Sequence, residues 1–74
     1  MPPIKDGNIL VLCHDGHYLV EIGNGLRVVA PDGRRADFAS GSETEIELQR
    51  SYTLDSMEDL HVKVVNAMLK AREE

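Results

Sequence analysis

Four residues of types that bind metal ions stand close together near the start of the chain. Cys13, His14, Asp15 and His17 lie within the segment VLCHDGHYLVEI. Thiolate, imidazole and carboxylate groups are zinc ligands, and a structural zinc site needs four of them converging on one point. A thiol in such a set also allows redox chemistry. Whether the four groups converge depends on the strands that carry them.

A predicted β-hairpin sets the directions of these side chains. Asp15-Gly16 separates two apolar runs and favours a two-residue type I′ turn. That turn places His14 opposite His17. Because successive side chains of a strand point to opposite faces, the Cys13 thiol then points away from both imidazoles. We therefore expect no metal site and no cofactor, and we expect Cys13 to be a small apolar core residue.

Turn-forming residues divide the first half of the chain into short segments. Gly23-Asn24-Gly25 and Pro31-Asp32-Gly33 have the composition of tight turns. Antiparallel strands are predicted at residues 8–14, 17–22, 26–30 and 34–38. Residues 44–49 alternate in polarity and are predicted as a fifth strand. Ser42 and Glu45 also match a helix capping box, so a short helix is the alternative for that segment.

The last third of the chain is predicted to be a helix. Its apolar residues repeat at intervals of three and four, as on one helix face: Met57, Leu60, Val64 and Met68. We expect one helix over residues 54–72, with Asp55 and Glu58 as its cap pair and His61 near its packing face. The predicted fold is α+β, a small antiparallel meander of four to five strands with one C-terminal helix packed on one face.

Size, charge and composition narrow the functional classes. The chain has 74 residues and a net charge of −5, from 13 acidic and 8 basic side chains. We expect one domain over residues 1–74. An acidic surface repels phosphate backbones, so direct nucleic-acid binding is not expected. The single cysteine excludes an intramolecular disulfide and suits the cytoplasm, and the sequence shows neither a signal peptide nor a membrane span.

No catalytic motif is recognisable in the sequence. Gly23-Asn24-Gly25 opens a predicted strand, so it lacks the helix N-terminus that a phosphate-binding loop uses. The carboxylates at Glu43, Glu45 and Glu47 have nothing nearby that would separate their pKa values for acid–base catalysis. We therefore expect no catalytic residues and no enzymatic activity.

The predicted second face of the sheet is more apolar than a face in contact with water should be. Burying one leucine-sized side chain is worth roughly 1.5–3 kcal/mol, so a group of exposed ones favours association. The sequence thus predicts a partner-binding surface formed by Leu10, Leu12, His14, His17, Leu19, Val29, Val62, Val65 and Leu69. In the alternative interpretation, residues 2–4 or the fifth segment cover the leucines.

The expected function is that of a non-enzymatic module that regulates or inhibits a larger protein or complex by docking on it. Compact acidic domains without catalytic motifs are typical of accessory subunits, assembly factors and phage-encoded inhibitors of host machinery such as RNA polymerase. A homodimeric structural or accessory protein is the alternative, and a metal- or redox-linked protein using Cys13, His14 and His17 is a third hypothesis. Protonation of the opposed His14 and His17 is expected to weaken binding below about pH 6.

Overall fold

The computed structural model describes residues 8–13 and 15–73, with residues 72 and 73 described by their backbone alone. Four strands precede two helices: β1 (Asn8–Leu12), β2 (Tyr18–Ile22), β3 (Gly25–Val29), β4 (Arg35–Ala39), α1 (Glu43–Leu54) and α2 (Met57–Glu73). The strands form one antiparallel sheet in the order β1-β2-β3-β4. The predicted α+β class and the meander are confirmed, with two helices in place of one.

Residues 44–49 belong to a helix, so the prediction of a fifth strand is wrong. The Ser42 side chain accepts a hydrogen bond from the Glu45 amide at 3.2 Å, and the Glu45 carboxylate accepts one from the Gly41 amide at 3.1 Å. The contact with Ser42 satisfies an amide that the first helical turn leaves unpaired, and the contact with Glu45 satisfies the amide just before the cap. The resulting helix buries Leu48 completely and leaves Ile46 about half exposed, so the two residues do not share a face.

A short connection separates α1 from α2. The Asp55 amide donates to the Ser51 carbonyl at 2.9 Å, and the Ser51 hydroxyl donates to the Asp55 carboxylate at 2.7 Å. Since Asp55 closes α1 in this way, Ser56 caps α2 instead, accepting from the Asp59 amide at 3.3 Å. The predicted Asp55–Glu58 cap pair is therefore wrong by one residue, and the second helix begins later than predicted.

Both helices cover the same face of the sheet. The buried core contains Cys13, Leu19, Leu26, Val28, Ala30, Leu48, Leu60, Val64, Ala67 and Met68. Three of the four predicted helix core positions are therefore confirmed. Met57 is the exception, because it is 45% exposed at the first position of α2.

The turn between β1 and β2 has three residues, whereas two were predicted. The Cys13 amide donates to the His17 carbonyl at 2.8 Å, and the Gly16 amide donates to the Cys13 carbonyl at 3.1 Å. Gly16 has a φ of +95°, the left-handed conformation that completes a three-residue hairpin loop. The strands consequently pair Leu12 with Tyr18, one residue away from the predicted register.

The β3–β4 turn repeats this arrangement. The Ala30 amide donates to the Arg34 carbonyl at 2.7 Å, the Gly33 amide donates to the Ala30 carbonyl at 3.0 Å, and Gly33 has a φ of +91°. Each turn contains an Asp-Gly pair, with Asp32 in one and Asp15 in the other. The aspartate carboxylate accepts from the amide two residues later in each case, at 3.0 and 3.1 Å.

A β-bulge alters the edge strand β1. Ile9 pairs with Val20 whereas Val11 pairs with Leu19, so Leu10 is an extra residue in this strand. Leu10 and Val11 both pack against the core under the helices. The bulge thereby brings two consecutive apolar side chains to the covered face of the sheet.

Candidate functional site

The observed strand register places the strand residues of the predicted partner-binding surface on both faces of the sheet. Leu19 is fully buried in the core, and Leu10 packs against the same core. Both residues lie on the sheet face that the helices cover, because Leu19 pairs with Val28 in the middle of that face. The prediction that Leu10 and Leu19 belong to a second, uncovered face is wrong. The β2–β3 register, which pairs Ile22 with Gly25, puts Leu19 on that face, and the bulge in β1 puts Leu10 there.

Leu12 and Val29 lie on the opposite sheet face. Tyr18 pairs with both of them, and cross-strand partners share a face. Leu12 is 67% exposed, whereas Val29 is buried at 9% exposure. Of the strand leucines and valine in the predicted surface, only Leu12 therefore has substantial exposed area.

Three polar side chains meet where the β1–β2 turn contacts α2. The Asp15 carboxylate lies 2.8 Å from Nδ1 of His17 and 3.3 Å from Nδ1 of His61. The two imidazole rings are 6.3 Å apart between centroids and meet edge to face at 68°. We refer to Asp15, His17 and His61 as the Asp15 cluster. It joins a turn and a helix that are distant in the sequence.

The two-residue spacing of Asp15 and His17 was visible in the sequence, but their connection to His61 was not. His61 was expected near the packing face of the helix, and its side chain is 22% exposed there. Its contact with Asp15 follows from the way α2 lies over the sheet. A pattern within one element cannot indicate such a contact.

The electrostatics of the cluster keep its carboxylate ionised. Burial acts to raise the pKa of Asp15, but hydrogen bonds from the His17 amide and imidazole and the charges of His17 and His61 outweigh it, and the pKa is lowered. Burial raises the pKa of the Cys13 thiol, and the charge of Asp15 raises it further. Since the thiolate is the nucleophile and the metal ligand, this environment makes Cys13 unreactive.

Cys13 and His17 lie on the same side of the sheet, contrary to the prediction that the thiol points away from the histidines. Cys13 is buried among residues of α2, and His17 contacts His61 of that helix. Among residues 8–13 and 15–73, no group of three or more histidine, cysteine, aspartate or glutamate side chains is arranged to hold a metal ion. His14, which belonged to the predicted surface and to the metal hypothesis, lies outside the described residues.

One side of α2 carries apolar residues that the core does not use. Val62 is 53% exposed, Leu69 is 50% exposed and Val65 is partly buried. Their spacing of three and four residues places them along one side of the helix, which we call the α2 flank. The prediction that they fall beside the core stripe is confirmed. Binding through them stays a prediction.

The outer surface of α1 also exposes apolar side chains. Ile46 is 49% exposed and Leu54 is 74% exposed, with Arg50 between them at helical spacing. Sequence reasoning missed this surface because residues 44–49 were assigned to a strand. The Ser42–Glu45 capping box was the signal that could have found it.

A groove between the two helices has mixed charge. It is lined by Arg50, Lys63 and Lys70 together with Glu43 and Glu47. Lys63 also lies 3.7 Å from the Asp55 carboxylate. Both cations and carboxylates line this groove, so its lining does not favour a ligand of a single charge.

An ion pair with defined geometry lies on the sheet face away from the helices. Arg27 donates through Nε and Nη2 to the two carboxylate oxygens of Asp37, at 2.6 and 2.9 Å. This hydrogen bonding lowers the pKa of Asp37 against the opposing effect of burial. The pair spans β3 and β4, where the two residues are register partners.

Two further findings bear on function. None of the helices in the described part of the chain has the length and apolar character needed to cross a membrane. Comparison of the chain with known protein families, curated proteins and solved structures finds no match.

Proposed function

We propose that the protein is a non-enzymatic binding module that docks on a larger protein through the α2 flank and thereby regulates or inhibits it. The observation that carries the proposal is the exposure of Val62 and Leu69, each about half accessible beside a core that is complete without them. Covering such side chains with a partner removes apolar surface from water, at roughly 25 cal/mol per Å².

The surroundings of the flank fit recognition of a protein surface. His61 precedes Val62 in the chain and belongs to the Asp15 cluster, so polar groups stand next to the apolar stripe. An apolar centre with polar groups at its edge is the usual composition of a protein interface. Leu12 lies on the other sheet face and is not part of this surface.

The chemistry of the side chains favours binding over catalysis. Burial and the Asp15 charge raise the pKa of Cys13, so its thiolate is scarce at neutral pH. Asp15 is engaged with two imidazoles. The free thiol suits the cytoplasm, and the net charge of −5 disfavours nucleic acid as a direct partner. A cellular or host complex such as RNA polymerase is the class of target we propose.

The test is capture of a partner from a lysate of the native host by the tagged protein and two variants. Val62→Ser with Leu69→Ser is expected to lose the proteins that the unchanged chain retains, because a serine hydroxyl cannot replace the apolar contact. Leu54→Ser is the matched control, since it removes a more exposed side chain from α1. Circular dichroism should show all three proteins folded.

Retention of the same proteins by the flank variant would contradict docking through α2. Loss of binding by Leu54→Ser alone would move the docking surface to α1. Equal loss with both variants would indicate non-specific apolar adhesion, which also contradicts the proposal.

A homodimer is the second candidate, because the same exposed flank could pair with a second copy. Light scattering at high micromolar concentration distinguishes the two. A dimer that dissociates in the Val62→Ser, Leu69→Ser variant would support self-association. A monomer at that concentration would eliminate it.

A further inference from the structure

One carboxylate stands between two imidazoles that come from different elements. The Asp15 oxygens reach Nδ1 of His17 at 2.8 Å and Nδ1 of His61 at 3.3 Å. The His17 amide also donates to Asp15 at 3.1 Å, which fixes the carboxylate within the turn. The contact with His61 is therefore a link between the turn and α2.

We propose that the Asp15 cluster is a proton-sensitive clamp, which holds the β1–β2 turn on α2 more tightly at about pH 5.5 than at about pH 8. Histidine is the side chain whose charge ordinarily changes between pH 5 and 8. A neutral imidazole contributes at most one N–H hydrogen bond to the carboxylate. A protonated imidazole adds a charge attraction to the carboxylate, and at the 2.8 Å contact with His17 Nδ1 the hydrogen bond becomes charge-assisted and about twice as strong. The 3.3 Å contact with His61 Nδ1 is an ion-pair contact without hydrogen-bond geometry.

The direction of the pH effect follows from linkage. A protonated imidazole that meets a carboxylate only in the folded state stabilises that state while the proton is present. The stabilisation is lost as the pH rises through the range in which histidine becomes neutral. Asp15 itself remains ionised at about pH 5.5, because its pKa lies below its ordinary value.

The neighbouring charged groups leave this direction unchanged. Directly after β1, the Cys13 thiol has a raised pKa and remains neutral over this range. On the adjacent β3–β4 turn, whose Pro31 packs against Gly16, Asp32 and Arg34 pair with each other at 3.4 Å. On α2, Glu58 is an exposed carboxylate one turn before His61, and it also favours a protonated imidazole. His14, next to Asp15 in the sequence, lies outside the described residues.

The clamp bears on the α2 flank as well. His61 directly precedes Val62 and stands one turn before Val65, so the clamp fixes the part of α2 from which the flank begins. This consequence rests on the proposed function, whereas the clamp itself does not. The test of the clamp therefore uses the protein alone, without a partner.

The test is a double-mutant cycle between Asp15→Asn and His61→Gln, with urea unfolding at about pH 5.5 and about pH 8. The coupling between the two residues, expressed in the unfolding equilibrium constant, is expected to be about two- to fivefold larger at the lower pH, the size found for partly exposed ion pairs. Coupling that is equal at both pH values, or larger at about pH 8, would overturn the clamp.

The β3–β4 turn supplies a matched control. It has the same backbone hydrogen bonds, the same aspartate-to-amide contact and an ion pair, but no histidine. The cycle between Asp32→Asn and Arg34→Gln should therefore give the same coupling at both pH values. A pH effect of similar size there would show a general electrostatic response and would contradict the proposal.

Hydrogen exchange in the unchanged protein gives an answer even if a variant fails to fold. The Gly16 and Gly33 amides make equivalent turn hydrogen bonds, at 3.1 and 3.0 Å. After correction for intrinsic exchange rates, Gly16 is expected to be better protected at about pH 5.5 than at about pH 8, while Gly33 is expected to be unchanged. Equal behaviour of the two amides would overturn the clamp.

Discussion

At the scale of single residues, the Asp15 carboxylate has the most consequential surroundings. It caps its own turn through the His17 amide and contacts an imidazole on each side. The sequence alone predicted that His17 would face His14. Because His14 lies outside the described residues, the expectation that binding weakens below about pH 6 stays a prediction. The proposed clamp predicts tighter packing of the turn on α2 in acid.

Asp15→Asn is expected to lower the free energy of unfolding at pH 7 by about 0.5–1.5 kcal/mol, the net value of an ordinary hydrogen bond. The pKa of Asp15 is lower in the folded protein than its ordinary value. Its carboxylate therefore stabilises the fold fully above the reference pKa of about 3.9, and this contribution is lost as the pH falls through the folded value.

Urea unfolding of the two proteins at pH 7 and near pH 3 checks this sign. The difference between them should shrink in acid. A deficit of the same size at both pH values would mean that the amide changes packing, not charge. Asp32→Asn, in the equivalent turn, shows how much of the deficit comes from the aspartate-to-amide contact alone.

At the scale of elements, local sequence signals predicted the meander well. Each observed strand lies within two residues of its predicted limits, because glycine, proline and aspartate mark the turns. The register was harder to predict. An Asp-Gly pair fits both a two-residue and a three-residue loop, and Cys13 and Gly16 make the same turn hydrogen bonds as Ala30 and Gly33. The bulge at Leu10 had no signal in the sequence.

Residues 44–49 carry two local patterns that predict different structures. Alternation over a few residues suggested a strand, and the capping box indicated a helix. The capping box predicted correctly because it satisfies backbone amides that a helix start leaves unpaired. The helix also buries Leu48 and Ser51, one turn apart, against the rest of the protein.

Ser42→Ala tests the cap directly. Loss of the side-chain acceptor for the Glu45 amide is expected to lower the free energy of unfolding by about 1 kcal/mol. Ser40→Ala is the matched control, because Ser40 is exposed and its hydrogen bond to Asn24 uses the backbone amide. Thermal or urea unfolding measures both. Equal effects of the two substitutions would argue against capping by Ser42.

At the scale of the whole molecule, the two helices on one sheet face decide which apolar residues remain available to a partner. Leu10 and Leu19 are taken into the core, and Val29 is buried on the other face. The α2 flank remains exposed, as its spacing beside the core stripe predicted. The sequence thus predicted an excess of apolar surface, but the part of it on the strands was misplaced by one residue of register.

The most direct test of this account compares Leu19→Ala with Leu12→Ala in urea unfolding. If β2 and β3 pair as observed, with Leu19 opposite Val28, Leu19→Ala should cost about 2–5 kcal/mol, as large-to-small changes in a core do. Leu12 is 67% exposed, so Leu12→Ala should change the free energy of unfolding by less than about 0.5 kcal/mol. Similar small costs for both leucines would contradict the account, because they would place Leu19 on the surface and return the candidate docking site to the sheet.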